Sequence, residues 1–287
     1  MVCVPHDRPI IVGTDGSIRA RYAVLEAARI ADRYGKHLRI MSAYSPLFAI
    51  LAYDPEPPKE EKERIEKILV DSKDAVLQKF PDLDVETEWV LGESAPSLIK
   101  ASAYADLIVV GARGQGAVHR MLVGSVATKV AANAHCSTFV VRDAEYDMDG
   151  PITVGVGPEA NSFRAVKAAF RYARAAGTSV RGLRAHQHSA AGLVNIPDGP
   201  RKDWLQGEID KSVELSKKGF DEVAAKFPDV ESEFVHIQAH ATDSLIDAAG
   251  ISRLIVVAPN GNGGDDKSLG SVALAVLHHA PAVLIAR

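Results

Sequence analysis

Apolar and polar positions along the first half of the chain change period several times. IIVGT (10–14) is a short β-rich apolar run and predicts a buried strand. Beyond Ser17 the apolar positions Ala20, Ala23, Val24, Ala27, Ile30 and Ala31 share one helical face as far as Tyr34, and Gly35 ends the helix. LRIMSAY (38–44) predicts a second strand, followed by the proline-rich connection 45–60. A helix is expected from Glu60 to Phe80, with Ile65, Ile68, Leu69, Val76 and Phe80 on one stripe. DVETEWVL (84–91) alternates and predicts a strand with one wetter face. Ser94 is placed as the cap of a short helix, with Pro96 in its first turn. LIVVG (107–111) is an apolar strand, Gly124–Ser125 opens the last helix, and TFVVR (138–142) is the last strand. This alternation of strand and helix predicts an α/β fold with a parallel sheet covered on both faces.

The pattern then repeats. KFPDLDVETEWV from Lys79 is answered by KFPDVESEFVHI from Lys226, DLIVVGARGQG (106–116) by RLIVVAPNGNG (253–263), and GSVA (124–127) by GSVA (270–273). IIVGTDGS (10–17) has its counterpart in ITVGVGPEANS (152–162). Elements keep their order and recur 142 to 147 residues on, a spacing that fits a duplicated domain and not a solenoid. Two domains are therefore expected, 1–143 and 150–287, joined by the polar segment DAEYDMDGP (143–151).

Composition narrows the function classes. With 33 basic and 37 acidic residues the net charge is −4, which argues against a general binder of nucleic acid or anionic membrane. Neither a bilayer-spanning apolar run nor a signal-peptide core is present, and Cys3 and Cys136 make no disulfide framework. A cytoplasmic, soluble protein is the expectation.

The candidate chemistry lies in VVGARGQGAVHRMLVGSVATKV (109–130), where glycines 111, 114, 116 and 124 separate a buried strand from a helix. Glycine lets backbone approach a ligand closely. A loop opening a helix also presents free N–H groups and the positive end of the helix dipole, which together suit a phosphate. Ser125 can cap the helix and donate to a phosphate oxygen, and Arg113, His119, Arg120 and Lys129 are near in sequence. If the first and fourth strands are neighbours, Asp15 faces the same crevice, where a carboxylate accepts hydrogen bonds from ribose hydroxyls or a base edge. A nucleotide between Asp15 and Gly111–Ser125 follows. The competing readings are plainer. Asp15 can cap the first helix, and Arg113, Arg120 and Lys129 can be solvated surface. His186-x-His188 and His236-x3-His240 lack a third ligand, so no metal site is expected. His135–Cys136 matches neither a catalytic dyad nor a zinc site, and Trp89 and Trp204 are taken as packing residues.

Gly111-x2-Gly114-x9-Gly124-Ser125 matches the G-x2-G-x9-G-S/T loop of universal stress proteins. With IIVGTDGS near the start and His135, Cys136, Ser137, Val140, Val141 and Arg142 at the end, the first half resembles that family throughout, and the second resembles it in layout. The whole chain is similar to the tandem universal stress proteins common in actinobacteria. The resemblance implies two doubly wound five-stranded sheets of order 3-2-1-4-5, adenine nucleotide alpha hydrolase-like, related by a pseudo-two-fold axis across which STFVVR and AVLIAR would pair. It further implies ATP, with or without Mg, at the positions matching Thr14, Asp15, Ala43, Val110, Gly111, Arg113, Gly114, Gly124, Ser125 and Val126. A nucleotide-responsive regulator of stress, dormancy or growth is the implied function, acting on an unknown regulatory protein partner. The domain pair would form within one chain, and a homodimer stays open. A weak ATPase or phosphotransfer enzyme is the alternative, and a scaffold without nucleotide the third reading. No Walker lysine, kinase loop, HxGH or SGGxDS signature is present, so no catalytic residue is assigned.

The second half departs from the pattern. Ala258 replaces Gly111, eight residues separate Gly261 from Gly270, and Asp265 and Asp266 fall inside the loop. The position of Asp15 falls at Gly157 or shifts to Glu159, while Gly270–Ser271 remains. A degenerate second site with a structural role is expected.

Overall fold

Strands and amphipathic helices alternate along the chain, and the same order occurs twice. The computed structural model describes residues 8–45, 57–114, 123–142, 149–186, 199–260 and 268–287. The chain divides into two units, Met1–Glu145 and Tyr146–Arg287. The first contains β1 (Ile10–Gly13), α1 (Ile18–Tyr34), β2 (Leu38–Tyr44), α2 (Lys59–Leu77), β3 (Val85–Leu91), α3 (Ser94–Ser102), β4 (Leu107–Gly111), α4 (Ser125–Asn133) and β5 (Ser137–Val141). The second contains β6 (Ile152–Gly155), α5 (Ala160–Ala176), β7 (Val180–His186), α6 (Pro200–Ala224), β8 (Ser232–Gln238), α7 (Ala241–Ala249), β9 (Leu254–Val257), α8 (Ser271–His279) and β10 (Ala282–Ile285).

Within the first unit the strands run in the order β3-β2-β1-β4-β5, all parallel. The second repeats it as β8-β7-β6-β9-β10. Registers correspond: Ile10 pairs with Leu38 and Leu107, and Ile152 with Val180 and Leu254. Both units thus have the expected α/β architecture and strand order.

Burial explains the apolar runs. Ile10, Ile11 and Val12 on β1 and Ile108, Val109 and Val110 on β4 are buried because helices cover both faces. β3 lies at the edge of the first unit's order, and only Val85 along it is buried, so its predicted wetter face extends to most of the strand. Helix α1 lays Ala20, Ala23, Val24, Ala27 and Ala31 on the sheet, and these small side chains permit close approach. Its counterpart α5 carries Phe170 there, which packs against Phe220 and Phe227 with ring centroids 5.4 Å apart in each pair. Gly182 on β7 makes room, since a Cβ there would stand 2.5 Å from Phe220.

Several local expectations are corrected. α2 begins at Lys59 and ends at Leu77, and Phe80 belongs to a following turn in which its N–H donates to the Val76 carbonyl. β1 ends at Gly13, because Thr14 already turns out of the strand. Glu93, not Ser94, holds the cap position of α3, and its side chain makes no capping bond. Trp204 on α6 is 63% exposed and is not a packing residue. No helix among the described residues is long and apolar enough to cross a membrane.

Candidate functional site

Pairing of β1 with β4 runs from Ile10–Leu107 to Val12–Val109, and the residues that follow on both strands line a crevice. The Thr14 N–H still donates to the Met41 carbonyl (2.9 Å), and then the chain turns through Gly16, at φ 79°. Asp15 Oδ1 accepts the Ser17 N–H at 3.0 Å, and the Ser17 hydroxyl accepts the Ala20 N–H at 3.2 Å. Ser17 is therefore the cap of α1, and Asp15 braces the turn before it. The side-chain cap of α1 is thus Ser17 and not Asp15.

The glycine positions differ in purpose. A Cβ on Gly114 would collide with Asp15 Oδ2, so this glycine lets the carboxylate lie directly over the loop backbone. A Cβ on Gly111 would stand 2.9 Å from the carbonyl carbon and oxygen of Arg19 and 3.1 Å from the Ala20 nitrogen, all backbone in the first turn of α1. Gly111 is thus required by helix-on-strand packing as well as lying at the crevice. Gly111→Ala is expected to cost about 1–3 kcal/mol of unfolding free energy through overpacking. Ala258→Gly, at the corresponding place in the second unit, should change stability by less than about 1 kcal/mol. Denaturant titrations of both variants check the contrast.

The loop returns in a fixed way. The Gly124 N–H donates to the Ala112 carbonyl at 2.7 Å, which sets α4 at the mouth of the crevice. Gly124 is the residue at the cap position and Ser125 the first helical one, so Ser125 does not cap as expected. Ser125 is exposed, and no side chain caps α4. The second unit repeats the return, with Gly270 N–H to the Pro259 carbonyl at 2.7 Å.

Eight of the ten expected residues line one crevice. Thr14 and Asp15 come from the end of β1, Ala43 from β2, and Val110, Gly111, Arg113 and Gly114 from β4 and its loop. Val126 comes from α4; Gly124 and Ser125 flank it in sequence and are not part of the lining. Met41, Ser42, Ser94 and Leu98 also line it and escaped the sequence reading. Ser94, read there as a cap, was visible as a polar residue opening a helix after β3. Lys129 is exposed, while Gly116, His119 and Arg120 lie outside the described residues. At the rim, the Arg64 guanidinium donates to both carboxylate oxygens of Glu61 at 2.6 and 2.9 Å. That hydrogen bonding holds the Glu61 carboxyl below its usual range, and it raises the Arg64 pKa, to which the nearby Asp15 charge adds. Ile68, one turn further on, would meet a Cβ on Gly16 at 2.9 Å, so α2 sits beside the Asp15 turn.

The second unit builds a crevice from corresponding places with different chemistry. Strand register places Gly157 where Asp15 stands, because the Thr14 and Val156 amides make the same bond to the neighbouring strand. A Cβ on Gly157 would meet Glu159 Oε2, so the Glu159 carboxylate fills the space an aspartate would take. Asn260 replaces Arg113, and its Oδ1 accepts from Asn161 Nδ2 at 3.1 Å. Gly261, Asp265 and Asp266 lie outside the described residues, as do Cys3 and His188. His186 and His236, separate in the sequence, are stacked 4.7 Å apart, with Nδ1 and Nε2 2.7 Å apart. No group of three or more His, Cys, Asp or Glu suited to a metal ion occurs among the described residues.

The sequence model of the universal stress protein family matches residues 7–142 and again 148–287. Universal stress protein Rv2623 of Mycobacterium tuberculosis is 29% identical, the match covering 97% of this chain and 96% of that protein. Universal stress protein Rv1996 of the same organism is 27% identical over 97% of this chain and 94% of its own length. Among solved structures, a universal stress protein from Archaeoglobus fulgidus has the same fold, with a TM-score of 0.66 and 15% identity over 98% of this chain and 97% of that one. Two family matches that together span nearly all of the sequence, over two units of the same strand order, show that this chain is a member of the universal stress protein family.

Proposed function

We propose that the first unit binds ATP in the crevice between Asp15 and the Gly114–Gly124 loop, and that the chain acts as a nucleotide-responsive regulator of stress, dormancy or growth. The observation that carries this reading is the meeting of two complementary groups in one crevice. The Asp15 carboxylate, an acceptor for ribose hydroxyls, lies over Gly114. Arg113, just before Gly114, and Val126, in the first turn of α4, line the same crevice, and a helix N-terminus is a place suited to phosphate. Thr14, Ala43, Val110, Gly111 and Val126 form the remaining walls. Mg²⁺ in this reading travels with the ATP phosphates.

Chemistry on the nucleotide has less support. Among the described residues that line the crevice, Asp15 is the one carboxylate and already accepts the Ser17 amide, and there is neither a lysine nor a histidine. Binding without rapid turnover is therefore the expected behaviour. Calorimetric titration of Mg-ATP into nucleotide-stripped protein should saturate near one per chain, with no steady-state phosphate release above background. Absence of saturable binding in folded protein would overturn the nucleotide reading. Phosphate release that vanishes in Gly114→Val would replace it with an enzymatic one.

A further inference from the structure

Every arginine on the central length of a strand in this chain raises the question of what balances its charge. Arg39 on β2 pairs with Glu86 at 3.0 Å, and Arg181 on β7 pairs with Glu233 at 2.5 Å. Arg184, three residues along β7, does not follow them. Its Nη2 donates to the Ser212 hydroxyl at 2.8 Å, a neutral partner. Among the described residues no carboxylate lies within ion-pair distance of it, and its Nε is buried without an acceptor. Burial lowers its pKa, and only the more distant Glu159 charge opposes that. Arg184 is half-buried, with its Nε out of solvent, so part of its charge is open to the crevice and a bound anion there would give it the ionic partner that Ser212 does not.

Arg184 is also at a telling place. Register aligns Gly155 with Leu183 as it aligns Gly13 with Met41, so Arg184 stands in the second unit where Ser42 stands in the first. Both line their crevices. The second crevice has a volume of about 470 Å³, within the span usual for small-ligand sites. Its walls carry Arg184 as the cation, Glu159 as the carboxylate and Ser271 at the start of α8.

We propose that the second unit's crevice is a separate site for a small oxyanion-bearing molecule, whose phosphate or carboxylate group pairs with Arg184 and whose hydroxyl groups donate to Glu159. The site neither requires nor excludes nucleotide in the first unit. Charge-assisted bonds to a guanidinium are strong and bidentate, and lysine reproduces the charge but not the fork.

The test uses the full chain and two probes, glycerol 3-phosphate and malate, at ionic strength held constant with potassium chloride. The expected result is saturable binding of one probe per chain, unchanged in Asp15→Ala. Arg184→Gln should weaken it at least tenfold, and Arg184→Lys should restore part of the loss. Preference for one probe assigns the anionic group as phosphate or carboxylate. The proposal is overturned if neither probe binds above the chloride background, if Arg184→Gln binds as the unaltered chain does, or if Asp15→Ala abolishes binding and so places it in the first crevice. Should Arg184→Gln fail to fold, the lysine variant decides, since equal affinity for both probes with and without the guanidinium fork, at unchanged charge, also overturns the bidentate pairing. Loss of ATP binding to the first unit leaves these outcomes unaffected.

Discussion

Asp15→Ala is expected to weaken Mg-ATP binding by about 30- to 1,000-fold. The estimate follows from losing an ionised acceptor that serves two hydroxyl donors, a loss of about 2–4 kcal/mol. Removing a negative charge beside the loop also relieves repulsion of the phosphates, which holds the effect below the sum of two ideal charge-assisted bonds. The fold should survive, because Ser17 and not Asp15 caps α1. Asp15→Asn keeps one acceptor and should show an intermediate loss. Calorimetry on both variants, with circular dichroism as the check on folding, reads the outcome. An Asp15→Ala affinity within threefold of the unaltered chain would remove the carboxylate from the site and with it the nucleotide orientation proposed here.

Phe170→Ala should be the most damaging single truncation for stability, costing about 3–5 kcal/mol. Phe170 is fully buried at the centre of an aromatic cluster on the α5 face of the second unit, flanked by Phe220 and Phe227. Phe220 in turn meets Phe234 at a centroid distance of 5.7 Å. The Gly182 position that admits Phe220 cannot move to refill the void, since its backbone belongs to β7. The corresponding position in α1 is Ala28, so the same change is already built into the first unit, where β2 offers Ile40 in place of Gly182. Phe170→Ala alone lacks that compensation, and adding Gly182→Ile should deepen the loss, since a Cβ at 182 already stands 2.5 Å from the Phe220 ring. Chemical denaturation followed by circular dichroism measures both. A cost under about 1 kcal/mol for the single variant would mean that the cluster collapses onto the vacated space.

Much of the fold was legible because its signals are local. The alanine face of α1, Gly35 at its end in the left-handed conformation, and the apolar runs of β1 and β4 need only near neighbours to be read. The duplication needed only comparison of the chain with itself. Errors arose where one residue type serves two purposes. Ser94 and Ser125 have the composition of helix caps but stand one place inside their helices, and Ser94 instead lines the crevice. Trp204 is large and apolar, yet it lies on the outer face of the long α6.

The candidate site divides in the same way. Asp15, Gly111, Gly114 and Gly124 were marked by spacing, since a glycine loop between strand and helix has few other uses. Spacing said nothing of what each glycine is for. Only the approach of the α1 backbone to Gly111, and of the Asp15 carboxylate to Gly114, separates packing from ligand access. Nor did it show Met41, Ser42 and Leu98, which reach the crevice from β2 and α3 through the order of the sheet. In the second half, substitution in the loop pointed to loss. Of the two places the sequence offered for the counterpart of Asp15, the tertiary structure sets the Glu159 carboxylate beside Gly157, and it adds Arg184 to the same walls, with no ion-pair partner among the described residues. By itself, then, the sequence determined the elements, their duplication and the family, because period, turn residues and motif spacing act over short stretches of chain. Tertiary structure decided which charges share a crevice, because residues 15 and 113, or 159 and 184, line one wall only when parallel strands bring distant segments side by side.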